Sequence, residues 1–260
     1  MNLAIITLSN EGARIAAKLA EAWDTCDVFL HAGVAELPQA KRFERITELS
    51  REIFACYEGL IYIAPTGVVV RAIAPCLQHK TTDPAVVAVD VGGRWAVSLL
   101  SGHEGGANDL ALAVANILAA EPVISTTTEA VKNLIVGVGC RRGAAAGAIV
   151  AAIREALTLA GCELARVRLV ATAEIKADEP GLREAARELG LPLRLVSAEE
   201  IRQTVRPFAH SDFVQEKVDL PAVAEPAALL AGRRTQLILP RQVLHSVTVA
   251  IARESCMSLE

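Results

Sequence analysis

The densest concentration of chemistry-bearing side chains is Ser101-Gly102-His103-Glu104-Gly105-Gly106-Ala107-Asn108-Asp109. An imidazole moves protons near neutral pH, and here a carboxylate follows it directly. Asn108 offers a donor to a carbonyl or carboxylate. Three glycines let backbone N–H groups approach a ligand closely, and the helix that opens at Ala107 favours an anionic oxygen at its start. A tight turn with an ordinary cap at Asn108 or Asp109 is the plain alternative, but such a turn needs glycine and not a neighbouring His-Glu pair. The segment follows a strand, so the reading places it at the carboxyl ends of the sheet, where ligands of open α/β sheets bind.

Other junctions are less specific. Thr66 and the Gly67 amide can meet an anion, with Arg71 one turn on for a carboxylate. The same residues also suit a plain cap with a surface arginine. Lys80-Thr81-Thr82-Asp83-Pro84 and Asp90 read alone as turn residues. Gly137-Val138-Gly139-Cys140-Arg141-Arg142-Gly143 is one residue longer than the dinucleotide fingerprint, and no acidic residue ends the next strand at the required distance. NAD(P)H binding is therefore not expected. Arg141 and Arg142 at a helix start suit carboxylate or phosphate capture instead. Cys140 reads either as a nucleophile near a helix N-terminus or as small packing. His31, His79, His210 and His245 are scattered without metal spacing.

The elements that must position these residues alternate. Strand-like runs at 3–8, 28–30, 60–64, 86–91, 95–100 and 123–125 interleave with helical stretches at 11–23, 43–54 and 107–120. Gly92-Gly93 between two strands signals a hairpin. The pattern restarts at Asn133. Strands are expected at 134–138, 167–173, 193–196, 236–239 and 246–252, and helices at 144–159, 182–189, 198–204 and 222–231. Ser197 and Glu200 have capping-box spacing. The expectation is an α/β protein of two α/β domains, with mostly parallel sheets and one β-hairpin in the N-terminal domain. The domains are placed at 1–130, with the 101–108 loop, and 131–258, with the 137–143 loop. No internal repeat or low-complexity segment is evident.

Composition narrows the classes. The 260 residues are 52% apolar but only 3% aromatic, with net charge -4. That supplies a large core and speaks against disorder, against a global polyanion binder and against base-stacking surfaces. No signal peptide and no apolar span of membrane length is read. Six cysteines without CxxC spacing suit a reducing cytoplasm. Leu259-Glu260 is read as an expression scar.

The pieces in order are more specific than any one. The run Gly59-Leu-Ile-Tyr-Ile-Ala-Pro-Thr-Gly67 is followed by Val70-Arg71-Ala-Ile-Ala-Pro75, Lys80, Asp83-Pro84-Ala85-Val86 and Val89-Asp90. Next come Leu99-Leu100-Ser101-Gly102-His103-Glu104-Gly105-Gly106-Ala107-Asn108 and Thr126-Thr127-Thr128. This resembles the N-terminal domain of the cobalt-precorrin-5A hydrolases (CbiG family) of anaerobic cobalamin biosynthesis. Residues 136–143, Ala171-Thr172 with Lys176, Glu179-Pro180-Gly181-Leu182 and Val223-Ala-Glu225-Pro-Ala-Ala228 resemble that family's C-terminal domain. The chain departs from the family in running almost directly from Thr128 to Asn133, where typical members carry a further segment. The substrate cavity is then built differently or with a second subunit. Ser211, Phe213 and Glu216-Lys217 are kept, but Asp219-Leu220-Pro221 stands where a glycine is expected after Val218, and Arg241 stands for Lys.

The resemblance implies a hydrolase that opens the δ-lactone of a cobalt-bound tetrapyrrole and releases acetaldehyde. The cobalt belongs to the substrate, and no protein cofactor or metal is expected. The implied partners are the ring substrate, other enzymes of the pathway and a second copy of the chain, with no nucleic acid and no membrane. His103 is the expected acid or base, oriented by Glu104 or Asp90. The Gly105 and Gly106 amides and Asn108 are expected at the oxyanion. The ring's carboxylates are expected to meet Thr66, Gly67, Arg71, Lys80, Arg94, Ser101 and Gly102. In the second half the expected contacts are Gly139, Cys140, Arg141, Arg142, Thr172, Lys176, Glu179 and Glu225. A carrier that binds the ring without catalysis is the alternative.

Overall fold

The structure, a computed structural model, describes residues 1–23, 25–210, 215, 219–257 and 259. The segment containing Ser211, Phe213, Glu216-Lys217 and Val218 lies outside the described residues, as does Glu260. The chain divides into two compact units, Met1–Thr126 and Thr127–Glu260.

The first unit holds a seven-stranded sheet in the order β3-β2-β1-β4-β5-β6-β7. Its strands are β1 (Leu3–Thr7), β2 (Cys26–His31), β3 (Lys41–Phe43), β4 (Gly59–Ile63), β5 (Ala85–Val89), β6 (Trp95–Leu100) and β7 (Glu121–Val123). The central strands LAIIT, GLIYI and AVVAV are buried on both faces, which is why they read as unbroken apolar runs. Leu3, Ile5, Ile61, Ile63, Val87 and Val89 face helices α1 (Asn10–Glu21) and α4 (Ala107–Leu118). Ala4, Ile6, Leu60, Tyr62, Val86 and Ala88 face α2 (Ile46–Ile53) and α3 (Thr66–Ile73). Ser9 caps α1 by accepting the Gly12 N–H at 3.1 Å. The helix expected at 43–54 begins three residues later, because Lys41–Phe43 pairs in parallel with β2 as an edge strand. Three residues are too few to show a period of two.

Neighbouring strands are parallel except at β5–β6, where the chain turns back through residues 90–94 as the hairpin signal predicts. That reversal corrects one expectation. The 101–108 loop follows the carboxyl end of β6, but β6 runs against β1–β5. The loop therefore lies at the amino ends of the five parallel strands, not at their carboxyl ends.

The second unit is a five-stranded sheet in the order β10-β9-β8-β12-β11. Strands β8 (Leu134–Gly139), β9 (Val167–Ala173) and β10 (Leu193–Val196) are mutually parallel. Strand β12 (Val247–Glu254) is antiparallel to β8 and to β11 (Thr235–Leu244). Only half of these pairings are parallel, and β11–β12 is a second hairpin that was not expected. Its two-residue turn, His245-Ser246, has both residues at positive φ, 50° and 62°. That is the backbone of a primed turn without the glycine or asparagine that normally announces one. Helices α6 (Ala146–Leu159) and α7 (Pro180–Glu188) pack on one face, with the short α5 (Thr127–Ala130) preceding β8. Helices α8 (Ala198–Gln203) and α9 (Ala224–Leu230) pack on the other. The Ser197–Glu200 capping box is formed in both directions.

Gly137 in β8 is a point of close approach. A Cβ there would stand 1.9 Å from the Ala224 carbonyl oxygen at the start of α9. Gly137→Ala is expected to cost about 3 kcal/mol, because backbone rather than a flexible side chain blocks the methyl. Urea unfolding of wild type and variant measures it; an unchanged midpoint would refute this packing.

Candidate functional site

Strand β6 ends at Leu100 and the loop begins at once. Ser101 takes φ +57° and Gly106, which precedes α4, takes φ +84°. The Ser101 carbonyl accepts the N–H groups of Gly105 (3.0 Å) and Ala107 (3.2 Å), and the Gly102 carbonyl accepts that of Asn108 (3.0 Å). The loop thus folds onto its own helix start. Two of its glycines are steric requirements. A Cβ at Gly105 would stand 2.5 Å from the Ser101 Cβ, and one at Gly102 would stand 2.7 Å from Thr126 Cγ2.

Asn108 is buried at the base of the loop. Its Oδ1 accepts from Ser98 Oγ at 2.8 Å and its Nδ2 donates to Thr126 Oγ1 at 3.0 Å. Two of the groups expected at the oxyanion have partners in this conformation. The Gly105 N–H and the Asn108 amide are already engaged, so both shape the loop in this conformation. Ser98 and Thr126, the partners that hold Asn108, were not singled out for this task. The only signal for Ser98 is the strand register that turns it toward α4.

On top of this base stand the exposed groups. His103 is exposed and has no hydrogen-bond partner among the described residues. Glu104 meets Lys80 Nζ at 2.8 Å. Lys80 arrives from a compact turn in which Thr82 and Asp83 donate their N–H groups to the His79 carbonyl. Asp83 accepts the Gln78 N–H with both carboxylate oxygens at 3.1 Å. The hydrogen bond from Lys80 holds the Glu104 carboxyl below its ordinary value, and Glu104 correspondingly raises Lys80. Lys80, His103 and Glu104 are thus brought to one place, 24 residues of chain apart.

Asp90 is not brought there. It sits at the far end of β5, about 15 Å along the hairpin from Ser101. Its carboxylate accepts from the N–H groups of Gly92 (3.1 Å), Arg94 (2.8 Å) and Trp95 (2.8 Å) and from Arg94 Nε (3.1 Å). Burial pushes its pKa up, but these donors outweigh burial and hold it low. Asp90 organises the turn and does not orient His103. Thr66 and Gly67 also lie at the carboxyl-end side, exposed at the start of α3, and the exposed Arg71 in its last turn donates from Nη1 to the Gly67 carbonyl at 2.9 Å.

In the second unit, Arg141 and Arg142 are exposed and Gly139, Cys140 and Lys176 are half-buried, at the carboxyl ends of β8 and β9. Burial pushes the Cys140 thiol up, and Lys176 opposes this only in part. That counts against Cys140 as an activated nucleophile. Three other expected ligand contacts are corrected. Thr172 is fully buried and donates to the Val138 carbonyl at 2.8 Å. Glu179 is buried and accepts the Gly143 N–H at 2.7 Å. Glu225 is buried and accepts the Ala209 N–H at 2.6 Å and the Arg241 N–H at 2.8 Å. Thr172 ties β9 to β8, and the two glutamates hold neighbouring backbone in place. Among the described residues no three His, Cys, Asp or Glu side chains converge on a metal position.

Two outcomes follow from this geometry. Lowering Glu104 and raising Lys80 means their pairing is fully present between the ordinary carboxylate value, 4.5, and the ordinary lysine value, 10.5. It fades as acid passes the lowered Glu104 value or alkali passes the raised Lys80 value. Lys80→Met is expected to raise the Glu104 titration toward the ordinary range in an NMR experiment, because the largest lowering cause is lost; an unmoved titration would remove the pair. Asp90→Ala is expected to cost about 1–2 kcal/mol in unfolding experiments, because three turn N–H groups lose their acceptor. A variant as stable as wild type would deny Asp90 that role.

Comparison with known proteins places these loops in a family. The model described as "Cobalamin synthesis G N-terminal" matches residues 48–129, and "Cobalamin synthesis G C-terminus" matches residues 134–252. A "Cobalt-precorrin-5A hydrolase" of Priestia megaterium is 25% identical over 352 aligned positions, covering 96% of this chain and 94% of that protein. A protein of the same name from Salmonella typhimurium strain LT2 is 49% identical over 80 residues, 31% of this chain and 23% of that protein. "Protein CobE" of Sinorhizobium sp. is 32% identical over 136 residues, 52% of this chain and 88% of that protein. With both halves matched in order and a relative of this identity covered over most of its length, the chain belongs to the cobalamin synthesis G (CbiG) family.

Proposed function

We propose that this protein is a cobalt-precorrin-5A hydrolase. It opens the δ-lactone of the cobalt-bound ring and releases acetaldehyde to give cobalt-precorrin-5B, in anaerobic cobalamin biosynthesis. The observation that carries this reading is the pair of family segments standing in order on a chain that aligns with nearly all of a cobalt-precorrin-5A hydrolase. The cobalt enters and leaves as part of the substrate. No helix among the described residues is long and apolar enough to cross a membrane. The reading places the reaction in the cytoplasm.

The site supplies what the steps require. Water adds to the lactone carbonyl as His103 takes its proton, and the ring oxygen leaves with that proton as a hydroxyl. The bond joining the two-carbon unit to the macrocycle then breaks. Its electrons pass into the ring system while the hydroxyl loses its proton, and acetaldehyde departs. His103 suits both transfers because it is exposed and uncommitted. Glu104 and Lys80 beside it set the local charge. In the second unit, considered by itself, the exposed Arg141 and Arg142 and the half-buried Lys176 are cations suited to carboxylates. The other partners proposed are neighbouring enzymes of the pathway and a second copy of the chain.

Anaerobic incubation with cobalt-precorrin-5A and trapping of acetaldehyde tests this. Wild type is expected to release it, and His103→Ala to be slower by about 100-fold or more. Release at the wild-type rate from the variant would remove His103 from the chemistry while keeping the function. No release from wild type, with the ring bound, would leave a carrier.

A further inference from the structure

The 101–108 loop carries two costs on one residue. Ser101 is a non-glycine residue at φ +57°, a backbone conformation that side-chain-bearing residues avoid. Its hydroxyl is buried and has no hydrogen-bond partner among the described residues. Buried hydroxyls are almost always paired, so an orphan calls for an explanation. A glycine at 101 would adopt the same backbone without strain and leave no orphan. Nothing in the closed loop rewards the serine.

The surroundings say what would. The Ser101 side chain lies directly beneath Gly105, whose own N–H is tied to the Ser101 carbonyl. Gly102, Gly105 and Gly106 flank the covering segment and let it change conformation at low cost. Lifting residues 102–106 therefore does two things at once: it uncovers the Ser101 hydroxyl and it frees the Gly105 N–H. Both donors lie two residues from His103 along the chain. Lactone opening needs donors at the carbonyl oxygen as negative charge develops there. In the closed loop two of the three expected candidates, the Gly105 N–H and the Asn108 amide, are engaged, which leaves the Gly106 N–H alone.

We propose that Ser101 is a catalytic donor stored in the closed loop. When the ring docks, the loop lifts, and the Ser101 hydroxyl together with the Gly105 N–H binds the lactone carbonyl oxygen. This rests on the hydrolase reading and extends it by naming the oxyanion donors. No bond is made or broken by Ser101 itself.

Ser101→Gly and Ser101→Ala test it, each followed by thermal unfolding without ligand and by acetaldehyde release from cobalt-precorrin-5A. Ser101→Gly is expected to raise Tm by about 2–4 °C, because strain and orphan vanish together. Ser101→Ala is expected to hold or raise Tm, because only the unsatisfied hydroxyl is lost. Both are expected to lower kcat by about 100-fold with KM little changed, as loss of one oxyanion donor does. A fall in Tm for Ser101→Ala would show that the hydroxyl is already satisfied in the free protein and would overturn the storage. Wild-type kcat in either variant would overturn the donor role while leaving the hydrolase intact. No acetaldehyde from wild type would overturn both readings together.

Discussion

The placement of the His103 loop depends on one carboxylate and the turn it holds. Asp90 gathers three consecutive-region N–H groups and the Arg94 guanidinium, and so makes the chain reverse after β5. Were β6 to continue as another parallel strand, its following loop would sit beside Thr66 and Arg71 at the carboxyl ends. Reversal sends it to the other side, where the turn carrying Lys80 arrives before β5 begins. The Lys80–Glu104 pair is a consequence of that reversal. An exposed pair of this kind contributes little to stability, and its weight here lies in the charge it sets beside the imidazole.

Polar side chains divide between shaping and acting, and burial separates the two. Asn108, Thr172, Glu179 and Glu225 are buried, and each is engaged with a neighbouring backbone or side-chain group. Asn108, Glu179 and Glu225 fix loop conformations, and Thr172 ties β9 to β8. His103, Glu104, Arg141 and Arg142 are exposed on those loops, and Lys80 is exposed on the turn before β5. Burying a carboxylate demands donors, and two of these buried glutamates find theirs in the N–H groups of loops that no regular ladder satisfies.

Much of this was legible in the residues. Unbroken apolar runs marked β1, β4 and β5, and Gly92-Gly93 marked the β5–β6 hairpin. Ser197 and Glu200 marked the start of α8. The family was legible because its glycines and charged residues recur in order across both halves. What was hidden is directional or three-dimensional. The hairpin implies that β6 runs backward, yet the position of the loop beyond it is readable only once strand order is known. The β11–β12 turn uses His245 and Ser246 at positive φ, with no glycine to announce it. Whether Glu179 faces a ligand or a backbone amide, and Asn108 a ligand or a hydroxyl, is decided by partners 36 and 18 residues away. Local spacing carries no trace of that.

Thr126 closes the N-terminal unit, and through Asn108 it is bonded to the first turn of α4. The connector begins at the next residue. The loop is therefore anchored upstream of any length change in the linker, so an insertion or deletion there leaves its geometry alone. The relative from Priestia megaterium needs 352 aligned positions against the 260 residues here. The anchor thus makes the fold of the His103 loop independent of the length of chain that follows Thr126.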